Sequence, residues 1–259
     1  MKLIYSSTSP YARKVRIVLA EKNVPWTNHH LSLAKGEQLT PEFKKMNPRG
    51  VVPVLVHDGN VIVESSVICS YLDEVFPNPP LSPKNPVERA TMRLWCKLPD
   101  DILHMACATV SFAISFGQQL KKQMGAGLEE RLMKMPDPAR RDRQRALIEK
   151  GIETPFFKDH IKVFEKTFGE MEAQLGKSKW LASDMYSLAD IEITPYVERI
   201  DRLGLSAMWE NRPRLADWFK RIKARESFKM IADYPPSDYD DRGGDGRKDW
   251  PKIKQMIAA

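Results

Sequence analysis

The sequence predicts an α/β N-terminal domain followed by an all-α C-terminal domain. Two short apolar runs, at residues 52–56 and 61–63, flank an Asp-Gly pair, which is a strong signal for a tight β-hairpin. A proline-rich stretch at 77–86 excludes a helix there. From Val87 onward the apolar residues recur mainly at helical spacing. We therefore divide the chain into an N-terminal domain (1–77), a linker (78–86), an all-helical domain (87–232) and an irregular tail (233–259).

The first domain is predicted to alternate strands and helices. A strand at residues 2–5 leads through a serine-rich loop into a helix that has Ser9 as its N-cap and Pro10 in its first turn. Either Ser65 or Ser66 can cap the helix that follows the hairpin. The predicted order is β-α-β-α-β-β-α, in which the middle elements are a strand (26–33), a short helix (41–46) and the hairpin (52–63).

The second domain is predicted to be helical throughout. Pro99 should kink or break a first long helix at about residues 87–123. Gly151 and Pro155 should interrupt a second long helix at about 138–175. Shorter helices are expected at 187–203 and 213–231.

A capping box marks the start of the helix at 187–203. Ser187 is a natural N-cap, and Asp190 lies three residues later, where its carboxylate can accept a hydrogen bond from the Ser187 N–H. Tyr186 and Ile191 occupy the two positions of a hydrophobic staple. We interpret this box as a folding signal that carries no chemistry of its own.

Length and composition indicate a globular protein. The 259 residues are 42% hydrophobic and 29% charged, and no apolar run is long enough to cross a membrane. The first residues do not have the pattern of a signal peptide. The net charge of +7 comes from basic residues interleaved with acids, so we expect no nucleic-acid partner. The chain has three cysteines, Cys69, Cys96 and Cys107, an odd number without the spacing of a metal site. We therefore predict reduced, buried thiols in a cytoplasmic protein.

Four short motifs occur in order in the first domain: Asn-Pro-Arg-Gly, Val-Pro, Asp-Gly and Glu-Ser. In this order and spacing they resemble the thioredoxin-like domain of glutathione transferases. The Ser-x-Ala-Asp box is similar to one in the helical domain of the same family. The resemblance implies the glutathione transferase fold, with glutathione as co-substrate.

The resemblance also implies how glutathione would bind. The bond before Pro53 would be cis, which leaves the main chain of Val52 free to pair with the tripeptide as an added strand. Glu64 and Ser65 would hold the γ-glutamyl end. The ligand's ammonium needs an acid, and its carboxylate needs hydroxyl and N–H donors at a helix N-terminus.

The segment that begins at Ser9 is expected to carry the catalytic hydroxyl. It reads SPYARKVR, similar to the motif of serine-type glutathione transferases, and the resemblance makes Ser9 the catalytic hydroxyl. A hydrogen bond from this hydroxyl and the positive helix end would stabilise the glutathione thiolate. Because one hydroxyl has one proton, we expect capping and thiol activation to compete at Ser9. Four neighbours remain open as alternatives: Ser6, Ser7, Thr8 and the phenol of Tyr5.

Gln38 matches, by its spacing from Glu64, the side chain that meets the glycyl end of glutathione. Lys35 and Arg49 remain alternatives, because Val51 stands where many relatives place Lys or Gln.

An adjacent histidine pair, His29-His30, lies on or just after the second predicted strand. Successive side chains of a strand face opposite ways, so we expect no joint metal site.

Within the family, the stretch from residue 47 to about 95 looks most like bacterial β-etherases. The resemblance rests on the motifs HDG, ES-x-VIC-x-YL and ERA-x-MR-x-W, in addition to those above. It implies a homodimer in which glutathione thiolate displaces a phenolate from a lignin-derived β-aryl ether ketone, a small aromatic electrophile. Two alternatives remain: a glutathione transferase or isomerase acting on another electrophile, and a non-catalytic adaptor. The intact set of Ser9, Pro53, Glu64 and Ser65 argues against the adaptor.

Overall fold

In a computed structural model, the structure describes residues 1–33, 35–133, 135, 137–232, 240 and 244–258. The chain divides into two compact units, each built from three segments. Unit 1 comprises Met1–Pro99, Gln174–Pro195 and Asp217–Asp238, and unit 2 comprises Asp100–Ala173, Tyr196–Ala216 and Tyr239–Ala259. The domain boundaries proposed from the sequence remain predictions.

Unit 1 contains one mixed sheet of four strands within the described residues. The strands are β1 (Lys2–Tyr5), β2 (Thr27–His30), β3 (Val54–His57) and β4 (Asn60–Ile62). Their order across the sheet is β2-β1-β3-β4, with β1 parallel to β2 and antiparallel to β3. Three helices alternate with them along the chain, α1 (Pro10–Glu21) after β1, α2 (Pro41–Met46) after β2 and α3 (Ser65–Val75) after β4. This is the predicted α/β order.

The two central strands, β1 and β3, are buried on both faces of the sheet, because apolar side chains alternate along them. Ile4 of β1 and Val54 of β3 pack on one face against Phe43 of α2. On the opposite face of the sheet, Leu3 and Leu55 are fully buried. Helices α1 and α3 pack against each other. The N-termini of these two helices carry the candidate site residues.

The turn between β3 and β4 has the conformation that its sequence predicts. Asp58 and Gly59 both have positive φ, at 48° and 81°, and His57 pairs with Asn60 across the turn. These are the values that a two-residue hairpin turn of this kind requires. The hairpin prediction is confirmed.

The rest of the described chain is mainly helical. The helices are α4 (Pro86–Leu98), α5 (His104–Ser111), α6 (Gly117–Met124), α7 (Leu128–Met133), α8 (Pro138–Lys150), α9 (Pro155–Gln174), α10 (Leu188–Arg202), α11 (Pro213–Ala224), α12 (Glu226–Ala232) and α13 (Trp250–Ala258). Gly151 and Pro155 separate α8 from α9 as predicted. Within the described ranges, no helix combines the length and the apolar character that a membrane crossing needs.

Pro99 interrupts the first long helix, as predicted: α4 ends at Leu98 and a stretch of different helical geometry begins at Pro99. Two wider π-helical stretches, Pro99–Leu103 and Phe112–Phe116, connect α4, α5 and α6 without a gap. Proline has no N–H to donate, and the wider π-helical turn allows the helical path to continue past it.

The segment after residue 232 was predicted to be irregular, and this is wrong for its last part. Residues 250–258 form α13, where Ile253 is fully buried. Gly244 and Gly246 pack so closely on unit 2 that an added Cβ would lie 2.6 Å from the Ile114 carbonyl oxygen and 2.7 Å from that of Leu203. The expectation for 233–239 and 241–243 falls outside the described residues.

The capping box of α10 is formed only in part, around a buried carboxylate: the Ser187 hydroxyl donates to Asp190 Oδ2 at 3.3 Å, and the Asp190 N–H donates to the Ser187 carbonyl. Asp190 Oδ2 accepts from the Ser187 N–H at 3.1 Å, while Oδ1 accepts from Leu181 N–H and from Trp218 Nε1 at 2.8 Å. Burial raises the pKa of Asp190 to about 6, although these hydrogen bonds act in the opposite direction. Tyr186, the expected staple residue, packs on the Trp180 ring and under the Arg225 guanidinium.

Candidate functional site

Ser9 lies at the N-terminus of α1, as predicted. Its backbone is extended, and its Oγ accepts a hydrogen bond from the Ala12 N–H at 3.3 Å. This corrects the expected competition between capping and thiol activation. The cap uses a lone pair of the oxygen, and the hydroxyl proton remains available to a ligand.

The neighbours of Ser9 differ from it in their surroundings. The hydroxyl of Ser6 is fully buried and has no hydrogen-bond partner among the described residues. The hydroxyl of Ser7 is also fully buried and lies 3.2 Å from His30 Nε2. The ring of Tyr5 is covered by the guanidinium of Arg16. Thr8 is buried as well, and the choice of Ser9 among these residues remains a proposal.

The turn before Pro53 is organised by a residue that the sequence analysis did not single out. Asn47 is buried, its Nδ2 donates to the Val51 carbonyl at 2.8 Å, and its Oδ1 accepts from the Arg49 N–H at 3.2 Å. Gly50 completes the turn with φ of 61°. The Val52–Pro53 bond that follows is cis, as the resemblance implied.

Glu64 and Ser65 lie at the N-terminus of α3. Ser65 is the first helical residue, and Glu64 occupies the cap position with φ of 66° and ψ of 111°. A positive φ is uncommon for a residue with a side chain, and such residues cluster at ligand sites. The Glu64 carboxylate is half-exposed and accepts a hydrogen bond from Arg49 Nη1 at 2.5 Å.

Ser66, which we considered as an alternative cap, has another role. It accepts a hydrogen bond from Lys14 Nζ at 2.8 Å and also contacts the carboxylate of Glu192 at 3.2 Å. Lys14 pairs directly with Glu192, and both are buried. This ion pair joins α1 to α10, and the hydroxyl of Ser66 attaches α3 to it. Sequence reasoning missed it because the partners are 178 residues apart in the chain.

Gln38 lies in a short 3₁₀ turn, Glu37–Leu39. Its Oε1 is buried and has no hydrogen-bond partner within the described part of the chain. The backbone of Gln38 lies beside Gly50, where a Cβ would be 3.2 Å from the Gln38 carbonyl oxygen. Gln38 is therefore close to the turn that leads to Val52. Lys35 is exposed, and its N–H donates to Ser32 Oγ.

Among the described residues, no cluster of three or more His, Cys, Asp or Glu could hold a metal ion. The three cysteines are free thiols; Cys69 and Cys107 are buried, and Cys96 is partly buried. Burial raises the pKa of Cys69, and the nearby Glu192 carboxylate adds to this rise.

Comparison with known proteins identifies the family. The N-terminal domain model of glutathione S-transferases matches residues 8–75, and the C-terminal domain model matches residues 138–221. Protein LigF of Sphingobium sp. (strain NBRC 103272 / SYK-6) is 32% identical over 240 residues, which cover 89% of this chain and 93% of LigF.

A solved structure and a second relative are also similar to this chain. The crystal structure of the beta-etherase LigF from Sphingobium sp. strain SYK-6 is similar with a TM-score of 0.78 at 31% identity, covering 89% of this chain and 98% of that one. FtsZ-localized protein A of Caulobacter vibrioides (strain NA1000 / CB15N) is 27% identical over 243 residues, which cover 90% of this chain and 93% of the relative. The resemblance to glutathione transferases is thus confirmed, and the chain belongs to the glutathione S-transferase family.

Proposed function

We propose that this protein is a β-etherase-like glutathione transferase. It would use the thiolate of glutathione to displace a phenolate from a lignin-derived β-aryl ether ketone. The observation that carries the proposal is the geometry of Ser9, whose oxygen caps α1 while its proton remains available at the helix N-terminus. The likeness to LigF along 89% of the chain supports the β-etherase reaction in particular.

Glutathione would bind along the turn at Pro53. Its cysteinyl main chain would pair with the N–H and C=O of Val52, in the manner of an added strand. Its γ-glutamyl ammonium would meet the Glu64 carboxylate, and its α-carboxylate would meet Ser65 at the N-terminus of α3. The glycyl end would lie near Gln38, whose buried Oε1 has no partner among the described residues. The carboxamide nitrogen of Gln38 can donate to the glycyl carboxylate.

The ion pair between Arg49 and Glu64 bears on this binding mode. Both side chains are largely exposed, so the pair contributes little stability and is easily exchanged. When the ligand's ammonium takes its place beside Glu64, the guanidinium of Arg49 becomes free for a ligand carboxylate. This exchange would compensate for Val51, which cannot bind a carboxylate.

Thiol activation would come from two sources. The Ser9 hydroxyl would donate a charge-assisted hydrogen bond to the sulfur, and the N-terminus of α1 would add a partial positive charge. A free thiol has a pKa of about 8.5, so a decrease of about two units makes most of it ionised at neutral pH. Such a decrease corresponds to about 2.7 kcal/mol, which one charged hydrogen bond and a helix terminus can supply.

The displacement step needs no redox cofactor. The thiolate attacks the ether-bearing carbon next to the ketone carbonyl, which is the β carbon of the lignin side chain. A C–S bond forms there, while the bond between this carbon and the aryloxy oxygen breaks. The electron pair leaves with the phenolate, which takes a proton from water. The adjacent carbonyl activates the carbon, and the protein's main contribution is the position and charge of the thiolate.

The test is a product assay with purified protein. Glutathione and a β-aryl ether α-ketone dimer are incubated with the wild-type protein and with Ser9→Ala, and phenol and glutathionyl thioether are both quantified. We expect equal amounts of the two products from the wild type, and a rate about 10- to 100-fold lower for Ser9→Ala. An absence of phenol release by the wild type would refute the β-etherase reaction.

The alternatives make different predictions. A transferase for another electrophile would bind glutathione and form its thiolate, yet would release no phenol. The adaptor alternative has one observation in its favour, the likeness to FtsZ-localized protein A. It predicts that calorimetry detects no glutathione binding.

Homodimerisation and a cytoplasmic location remain part of the proposal. The location is based on the three free cysteines. The dimer is inferred from the family and from exposed apolar side chains in unit 1, on α3 (Val67) and α4 (Val87 and Leu94).

A further inference from the structure

His30, at the end of β2, contacts the loop that leads into the candidate catalytic helix. The main-chain N–H of Ser7 donates to His30 Nε2 at 3.2 Å, and the Ser7 hydroxyl lies 3.2 Å from the same nitrogen. Ser7 is fully buried, whereas β2 is an exposed edge strand. His30 therefore reaches from the sheet edge over a buried peptide group two residues before Ser9.

The imidazole is held in place by its neighbours. Tyr5 is the register partner of His30 in the parallel pair of β1 and β2, and the Leu31 N–H donates to the Tyr5 carbonyl at 2.7 Å. The two rings meet edge to face, with centroids 5.4 Å apart and planes at 87°. The guanidinium of Arg16, on α1, covers the Tyr5 ring at 4.9 Å.

The loop between β1 and α1 is thus fixed at two points. The Ser9 N–H donates to the Ser6 carbonyl at 3.1 Å, which closes a turn within the loop. The contact from Ser7 to His30 ties that turn to the sheet. A neutral imidazole accepts at only one nitrogen, so this hydrogen bond requires the lone pair at Nε2 and the proton at Nδ1. The bond thereby sets both the tautomer and the ring position.

We propose that His30 is a positioning residue for the thiolate site: it fixes the Ser6–Ser9 turn and thereby the direction of the Ser9 hydroxyl. This inference rests on the proposed function of Ser9. His30 acts through the Ser7 main chain and does not touch the sulfur. Small displacements of a charged hydrogen bond weaken it steeply, so a loosened turn lowers thiolate formation even when glutathione still binds.

Two substitutions at His30 distinguish the role of the hydrogen-bond acceptor from that of the imidazole ring. In His30→Gln, the side-chain oxygen reaches about as far as Nε2 and can accept from the Ser7 N–H. In His30→Asn, the amide ends at about the position of Nδ1, so the acceptor is lost. His29→Asn is the matched control, because His29 is also exposed on β2 and its side chain alternates to the opposite face.

The experiment measures three quantities for each variant. They are the pKa of bound glutathione from the ultraviolet absorbance of the thiolate, kcat against KM for glutathione, and the melting temperature. We expect His30→Asn to raise the thiol pKa and to lower kcat about tenfold, while KM and melting temperature change little. His30→Gln should recover most of this loss, and His29→Asn should behave like the wild type.

Two results would overturn the inference. One is a wild-type thiol pKa and kcat in His30→Asn. The other is a loss of melting temperature in step with kcat in both His30 variants, which would make the role purely structural. Failure of the proposed function is distinguishable, because the wild-type protein itself would then show no thiolate absorbance. The contact remains visible even in that case, as a shift of the Ser7 amide in nitrogen–proton spectra of His30→Asn but not of His29→Asn.

Discussion

At the scale of single residues, Ser9 can serve two purposes that the sequence analysis placed in conflict. The cap needs an acceptor and the thiolate needs a donor, and one hydroxyl provides both. A cap residue without a proton, such as a side chain ending in a carboxylate, would keep the helix and lose the chemistry. Asp137, which caps α8 by accepting from the Ala139 and Arg140 N–H groups, has no such proton. Thr40 has one, but donates it to the Glu37 carbonyl at 3.1 Å.

Asp190 makes the free energy of unfolding depend on pH, and a variant at this one position can measure its contribution. Its folded-state pKa of about 6 is above its ordinary value of 3.8, so the folded protein binds the proton more tightly than the unfolded chain. The stabilisation that results is complete below about pH 4 and is lost as the pH rises through 6. Two pKa units correspond to about 3 kcal/mol.

The matched variant is Asp190→Asn, which does not titrate. It should be less stable at every pH, because its amide nitrogen faces the N–H of Ser187. Urea unfolding of both proteins should show this deficit shrinking by up to about 3 kcal/mol between pH 4 and pH 7. A deficit that is constant over this range would contradict the raised pKa.

Local signals predicted the residue-scale features well where partners are near in sequence. The Asp58-Gly59 turn, the Ser9 cap and the Ser187-to-Asp190 box each depend on residues within four positions of one another. The buried pair of Lys14 and Glu192, and the second bond of Asp190 to Trp218, were not predictable in this way. Only the tertiary fold brings these partners together.

At the scale of elements, two helical glycines should respond oppositely to the same substitution. A Cβ on Gly117 would lie 2.6 Å from the Phe112 carbonyl oxygen, at the end of a π-helical stretch, and 3.2 Å from Ile148 Cα. A Cβ on Gly169, in α9, would have no neighbour within 4 Å. Alanine is the better helix former where it fits.

We therefore expect Gly169→Ala to stabilise the protein by about 0.5–1 kcal/mol, and Gly117→Ala to destabilise it by about 1–3 kcal/mol. Denaturant unfolding of the two variants beside the wild type measures both effects. Equal and small effects at the two positions would show that α6 can move away from α8.

The interruption at Pro99 was predicted from the sequence, but the π-helical form of the stretch that follows it was not. Proline signals a break because it lacks an N–H and crowds the preceding turn. A π-helical turn accommodates the missing N–H of proline, and no local sequence pattern predicts such a turn. The failure at 250–258 has a different cause, since α13 is short and depends on burying Ile253 against unit 2.

At the scale of the whole molecule, the proposed homodimer can be tested through α4. Val87 and Leu94 are seven residues apart, hence on one side of this helix, and are 74% and 69% exposed. We expect the wild type to sediment at twice the mass of one chain and Leu94→Lys to shift toward the monomer. Met230→Lys, at an exposed position of α12, is the control and should sediment like the wild type. A monomeric wild type would contradict the dimer.

We propose that the N-terminus of α1 stabilises the thiolate of glutathione through Ser9. The most direct measurement is a pH titration of the thiolate absorbance of bound glutathione, in the wild type, Ser9→Gly and Ser9→Ala. Gly loses the donor but costs the helix cap only a few tenths of a kcal/mol, whereas Ala costs about 1 kcal/mol. We expect a thiol pKa about two units below that of free glutathione in the wild type, and a return toward the free value in both variants. A pKa that stays low in Ser9→Gly would contradict it.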